Sequence, residues 1–158
     1  MSTKASKNEL IEAWSQEVQK TGTLTVLHTN AVAQHIGLSA TEFEAVDVIS
    51  RNQPMTAGGL SVACGLTTGA ITGLVDRLER ERCIKRTGDP EDRRKVLLVP
   101  VRDSRKSKKI TKLYQPIAEG FSALAAKYSK EELVFLIKVQ SEMNQMAEDA
   151  IRRVRDGA

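Results

Sequence analysis

At 158 residues, with 41% apolar content but only 4% aromatic and four prolines, the chain fits one domain with helical extensions, mainly α, its core made of Leu, Ile, Val and Ala. The net charge of +4 is uneven: Asp76 to Lys112 carries fourteen Lys/Arg against seven Asp/Glu and the rest carries ten against thirteen, which points to one localised surface for a polyanion. Two cysteines outside any CxxC pair argue against a disulfide framework, and no apolar run approaches the ~18 residues of a membrane span or forms an N-terminal signal core, so a cytoplasmic protein is expected.

In chain order, the first helix is predicted from about Ser6 to Gly37. Ser6 and Glu9 form a capping box, Leu10, Trp14 and Val18 share a stripe, and Gly37 ends the helix. Lys20 to Thr23 weakens the pattern, so a kink or break is expected there. A second capping box, Ser39 with Glu42, opens a helix over Ala40 to about Asn52, with Leu38 and Phe43 as a hydrophobic staple. Thr56 caps a short helix over Ala57–Cys64, Gly65 supplies a left-handed turn, and Thr67 caps a helix to about Arg82 whose inner stripe is Ile71, Leu74, Val75 and Leu78. Ile84–Thr87 and Val96–Val101 read as strands around turn residues 88–92. Two long helices follow, about Asp103 to Lys127 with Pro116 inside it, and Lys130 to about Val154 after a third capping box at Ser129 and Glu132 with its own staple, Tyr128 on Leu133. In the last helix Leu133, Leu136, Ile137, Met143, Ala147, Ile151 and Val154 make a packing seam, which favours a homodimer over packing on the chain's own core.

Function is concentrated between Thr56 and Val101. The outward face of the Thr67–Arg82 helix carries Thr67, Thr68, Gly69, Thr72, Gly73 and Arg77. Short side chains let a helix backbone approach base edges, Thr can touch a thymine methyl, and a helix N-terminus favours phosphate. Gly69 and Gly73 each cost a helix roughly 1 kcal/mol against Ala, a cost with no return on a solvent face and a clear one where another molecule must fit. After the turn, Arg93, Arg94 and Lys95 can reach a minor groove or phosphates, while Asp92 can pair with Arg94 and shape the tip, or simply cap the turn. Lys85 and Arg86, on the first strand, can contact backbone or pack near the base of the hairpin. Together with Thr56, these residues make a candidate surface for double-stranded DNA.

The recognition-helix segment LTTGAITGLVDRLE followed by DPEDRRKV resembles the MarR family of bacterial transcription regulators, with Asp92 and Arg94 forming the Asp-x-Arg of that family's wing. The resemblance implies a winged helix-turn-helix, residues 38–102, carried by dimerisation arms, residues 1–37 and 103–158. It implies a homodimer on a pseudo-palindromic operator, usually repressing nearby genes and released in many members by a small aromatic or lipophilic molecule or by an oxidant. Gly73 stands where many members have a long polar residue, which shifts base readout to Thr68, Thr72 and the wing. Pro100 stands where the family often has Thr, so an altered start is expected for the next helix.

Trp14, His35, Phe43 and Tyr114 are candidate lining residues for an effector pocket, with ordinary core packing as the competing role. His28 and His35 lie seven apart without the further ligands a metal site needs, and no cofactor is expected. Cys64 and Cys83 read as buried structural thiols. No Walker loop, GxSxG or HExxH is present, which argues against an enzyme. The competing function is a protein-interaction dimer of the same fold without an operator.

Overall fold

The computed structural model describes residues 5–157. Six helices and a small antiparallel sheet follow in the order α1 (Lys7–Ile36), α2 (Ala40–Arg51), β1 (Met55–Thr56), α3 (Ala57–Cys64), α4 (Thr68–Arg80), β2 (Ile84–Gly88), β3 (Val96–Pro100), α5 (Arg105–Ala125) and α6 (Lys130–Arg155). This is the mainly α, winged helix-turn-helix architecture expected from the sequence.

All three capping boxes form, at Ser6, Ser39 and Ser129, each Ser oxygen accepting the backbone N–H three residues on and each Glu accepting that of the cap. Gly37 (φ 71°) and Gly65 (φ 65°) take the left-handed conformation that closes α1 and α3, where a side chain would be strained. Arg82 (φ 55°) does the same after α4 without being glycine. The break expected at Lys20 to Thr23 does not occur: α1 is continuous. The hydroxyls of Thr23 and Thr25 donate to the carbonyls of Gln19 and Thr21 one turn back, which keeps their polar groups inside the helical pattern.

Strand β1 has no counterpart in the expected elements. Two residues are too few to show a period, yet they pair with Leu97 and Leu98 and place β3 at the centre of the order β1-β3-β2. The β2–β3 register sets Ile84 against Pro100 and Gly88 against Val96. Helix α5 begins two residues later than about Asp103. Ser104 accepts the Ser107 N–H at 3.1 Å, the Ser107 hydroxyl donates to the Val101 carbonyl, and Val101 N–H reaches Cys83 O at 2.9 Å.

The chain divides into two compact units, Met1–Ile110 and Thr111–Ala158. The core of the first unit gathers Ile49 from α2, Leu60 from α3, Ile71, Val75 and Leu78 from α4, and Ile84 and Leu98 from the sheet, all at most 1% exposed. Only the last turns of α1 join it, through Val32, Ala33 and Ile36, whereas Leu10, Ile11, Trp14, Leu24, Val26 and Leu27 are exposed. In the second unit no described residue of α6 is buried, and Val134, Phe135, Leu136, Ile137, Met146, Ile151 and Val154 all face outward to a large extent. Within the second unit, the seam expected from the sequence therefore stays open. Among the described residues no single helix is long and apolar enough to cross a membrane.

Candidate nucleic-acid interface

The helix-turn-helix is built by local capping. Thr56 Oγ1 accepts the Gly59 N–H at 3.1 Å, and Thr67 Oγ1 accepts the Ala70 N–H at 3.3 Å. Both Thr residues are thus committed to starting α3 and α4. Beyond Thr67 the outward face of α4 is open: Thr68, Gly69, Thr72 and Gly73 are exposed, and a methyl added at Gly69 or Gly73 would meet nothing within 4 Å. The Thr72 hydroxyl donates to Thr68 O at 3.0 Å. Its proton is spent inside the helix, so toward a partner Thr72 offers an acceptor oxygen and a methyl group.

Ion pairs hold α4 on both edges. On one edge Arg77 Nε lies 2.7 Å from Glu42 Oε1 of α2, a carboxylate only 6% exposed, although Arg77 itself stays 62% exposed. On the other edge Arg86 of β2 bonds Asp76 and Glu79 through its guanidinium, and its backbone N–H donates to Glu79 Oε1 at 3.1 Å. That N–H and the guanidinium hold the Glu79 carboxyl below its ordinary range, and the two acids, Asp76 first, push Arg86 up. Of the two roles left open for Arg86, the structure shows the packing one at the base of the hairpin.

The tip of the β2–β3 hairpin is equally specified. Asp89 Oδ1 accepts from Glu91 N at 2.8 Å, and Asp89 N–H donates to Lys95 O at 3.1 Å. Asp92 both caps and pairs: its Oδ1 accepts Arg94 N at 3.1 Å and Arg94 Nε at 3.2 Å, and its carbonyl accepts Lys95 N at 2.9 Å. Arg94 remains 91% exposed, and Arg93 and Lys95 are exposed beside it.

The other singled-out residues lie elsewhere. Phe43 is buried in the core and Leu38 with it, as a staple requires; Trp14 and His35 are exposed on α1, and Tyr114 belongs to the second unit. The His35 carbonyl accepts from Lys109 Nζ at 3.0 Å. Cys83 is buried and burial pushes its thiol up, but Cys64, at the end of α3, is half-buried, so the expectation of two buried thiols holds for one. Among the described residues no group of three His, Cys, Asp or Glu could hold a metal ion.

Glu42 escaped the sequence reading as anything but a cap. A signal was present: with Ala45 and Ile49 it follows the three/four spacing of the buried face, and an acid on that face implies a cation opposite.

Three comparisons bear on this geometry. The MarR family model matches residues 36–95. A Bacillus subtilis (strain 168) protein, YcgE, described as an uncharacterized HTH-type transcriptional regulator, is 38% identical over 155 residues, covering 98% of this chain and 99% of its own. The fold is also that of the transcriptional regulator Tm0710 from Thermotoga maritima (TM-score 0.59, 24% identity, 89% of this chain and 98% of that one). Streptococcus pneumoniae FabT, solved in complex with DNA, is similar to the same degree (TM-score 0.59, 22% identity, 91% and 99%).

Proposed function

Because this chain belongs to the MarR family of DNA-binding transcriptional regulators, we propose that it represses transcription as a homodimer bound to a pseudo-palindromic operator. The observation that carries the reading is the open face of α4, with Thr68, Gly69, Thr72 and Gly73 exposed, beside a wing tip that presents Arg93, Arg94 and Lys95. In this reading Thr68 and Thr72 meet base edges, the N-terminus of α4 and the wing take phosphates, and Arg77 reaches the backbone from the helix edge. Thr56 and Thr67 act by fixing the helix starts that aim the rest. Asp92 shapes the wing.

Residues 38–102 form the DNA-binding domain, and residues 1–37 and 103–158 the dimerisation arms. The exposed apolar side chains of α1 and α6 support the pairing, since a soluble monomer rarely leaves so many together. Release by a small aromatic or lipophilic effector belongs to the same proposal, with Trp14, His35 and Tyr114 as candidate contacts; Phe43 serves the core instead.

Selection of duplexes from a random pool with the purified protein tests this directly. The expected product is an inverted repeat with half-sites about one helical turn, roughly 10 base pairs, apart, bound with steep salt dependence. Enrichment of sequences without inverted symmetry overturns the dimer-on-operator arrangement. Failure to enrich any sequence points to the interaction dimer.

A further inference from the structure

Among the described residues Glu42 is the one charged residue in the core of the first unit, 4% exposed overall, and its two oxygens have different duties. Oε2 accepts the Ser39 backbone N–H at 2.8 Å and so closes the capping box of α2, two residues after the glycine that ends α1. Oε1 pairs with Arg77 Nε at 2.7 Å, across from α2 to the last turn of α4. The Arg77 side chain is nonetheless 62% exposed, and among the described residues no other carboxylate pairs with it. A guanidinium ion-paired at its Nε edge keeps its terminal nitrogens for a second anion, and the pair restrains where its planar fork points. The opposite edge of α4 is tied by Arg86 to Asp76 and Glu79, so the helix is gripped on two sides and cannot roll about its axis without breaking one grip.

We propose that Glu42 is a positioning residue for operator recognition: it aims Arg77 at a backbone phosphate and, through that bond, sets the rotation at which α4 presents Thr68 and Thr72 to the bases. The inference rests on the DNA-binding reading above. Removing the negative charge has two opposed effects. The general attraction for phosphate rises, because the exposed Arg77 charge is no longer offset by the buried acid behind it. Discrimination falls, because Arg77 and the helix are no longer fixed. A bond that merely held the fold together would leave the discrimination unchanged.

The test uses the full-length protein, a duplex recovered by selection and a scrambled duplex of equal length, titrated at several salt concentrations. Glu42→Gln keeps the reach of the side chain and an oxygen for the Ser39 N–H, so the cap is preserved. It is expected to reduce the ratio of selected to scrambled affinity by about fivefold or more, a size ordinary for residues in direct contact, while scrambled binding stays level or strengthens. Arg77→Ala is expected to weaken both duplexes and lower the salt slope by about one. The double variant should bind no worse than Arg77→Ala alone. Thermal melting of each variant separates these effects from unfolding. The proposal is overturned if Glu42→Gln shifts the melting temperature and leaves the affinity ratio intact, or if the two substitutions act additively on the ratio. If the wild-type protein itself does not prefer the selected duplex, the DNA-binding reading falls, and this one with it.

Discussion

Arg82 and Gly73 show how one residue's backbone preference can be set against its neighbours. Arg82 takes φ 55° because α4 ends in a tight closing turn, with Cys83 N–H on Leu78 O and Arg82 N–H on Glu79 O, both at 2.9 Å. A side chain in that conformation costs about 1–2 kcal/mol, whereas glycine avoids the clash but frees the unfolded chain by about 0.4–1 kcal/mol. The steric effect is the larger. Arg82→Gly is therefore expected to stabilise the protein by about 0.5–1 kcal/mol in urea melts, and Gly65→Ala, at φ 65° in the matching turn after α3, to destabilise it by about 1 kcal/mol. Gly73 is the opposite case: it is helical, exposed and has open space where a methyl would go. Gly73→Ala should raise stability by up to about 1 kcal/mol. If α4 lies in the groove at the rotation described, the same methyl meets bases, and operator affinity or preference changes. A stabilised variant with unaltered DNA binding would mean that Gly73 faces solvent in the complex.

Between elements, the grip of β2 on α4 is electrostatic and so depends on pH. The Glu79 carboxyl is held below its ordinary value of 4.5, first by the Arg86 N–H and then by the Arg86 guanidinium. A lowered acid contributes stability that is complete above 4.5 and is lost as pH falls through the lower folded value. Glu9, Glu81 and Glu131 are lowered as well, so the wild-type curve sums several groups. Arg86→Ala removes the guanidinium's part and leaves the backbone N–H in place: its stability should fall somewhat less steeply than that of the wild type below pH 4.5 in urea melts run from pH 7 to pH 3. Parallel curves would show that the pair adds nothing, as many exposed pairs do. This grip also marks the boundary of what was legible in the chain. The helices announced themselves through Ser6, Ser39, Ser129, Thr56, Thr67, Gly37 and Gly65, because caps and closing turns are local chemistry. The wing was legible through its turn residues and the Asp92–Arg94 spacing. The Arg86–Asp76–Glu79 and Glu42–Arg77 contacts join different elements, the latter across thirty-five positions, and pairing at that distance is decided by packing that no local pattern encodes. The break expected at Lys20 to Thr23 fails for the reverse reason: weak local propensity there is outweighed by the continuity of a long helix.

For the molecule as a whole, the unresolved demand is apolar surface. Ile137 is 68% exposed and Leu133 half-buried on α6, and the first turns of α1 leave Leu10, Ile11 and Trp14 uncovered. An aspartate in a seam that a second copy covers must bury its charge or open the interface. Ile137→Asp and Leu133→Asp are expected to shift sedimentation from dimer toward monomer at micromolar concentration and to weaken operator binding in parallel. A wild-type monomer under those conditions would remove the dimer from the account. The exposed stretch of α1 has a further consequence once a second copy covers it. A helix supported only from across an interface shares the fate of that interface, so folding and assembly become one equilibrium governed by mass action. Each tenfold dilution then removes about 1.4 kcal/mol per dimer from the folded side, and the number of copies in a cell sets how much of the protein is competent at all. A gene that this regulator controls would be answering, in part, to the abundance of the regulator itself.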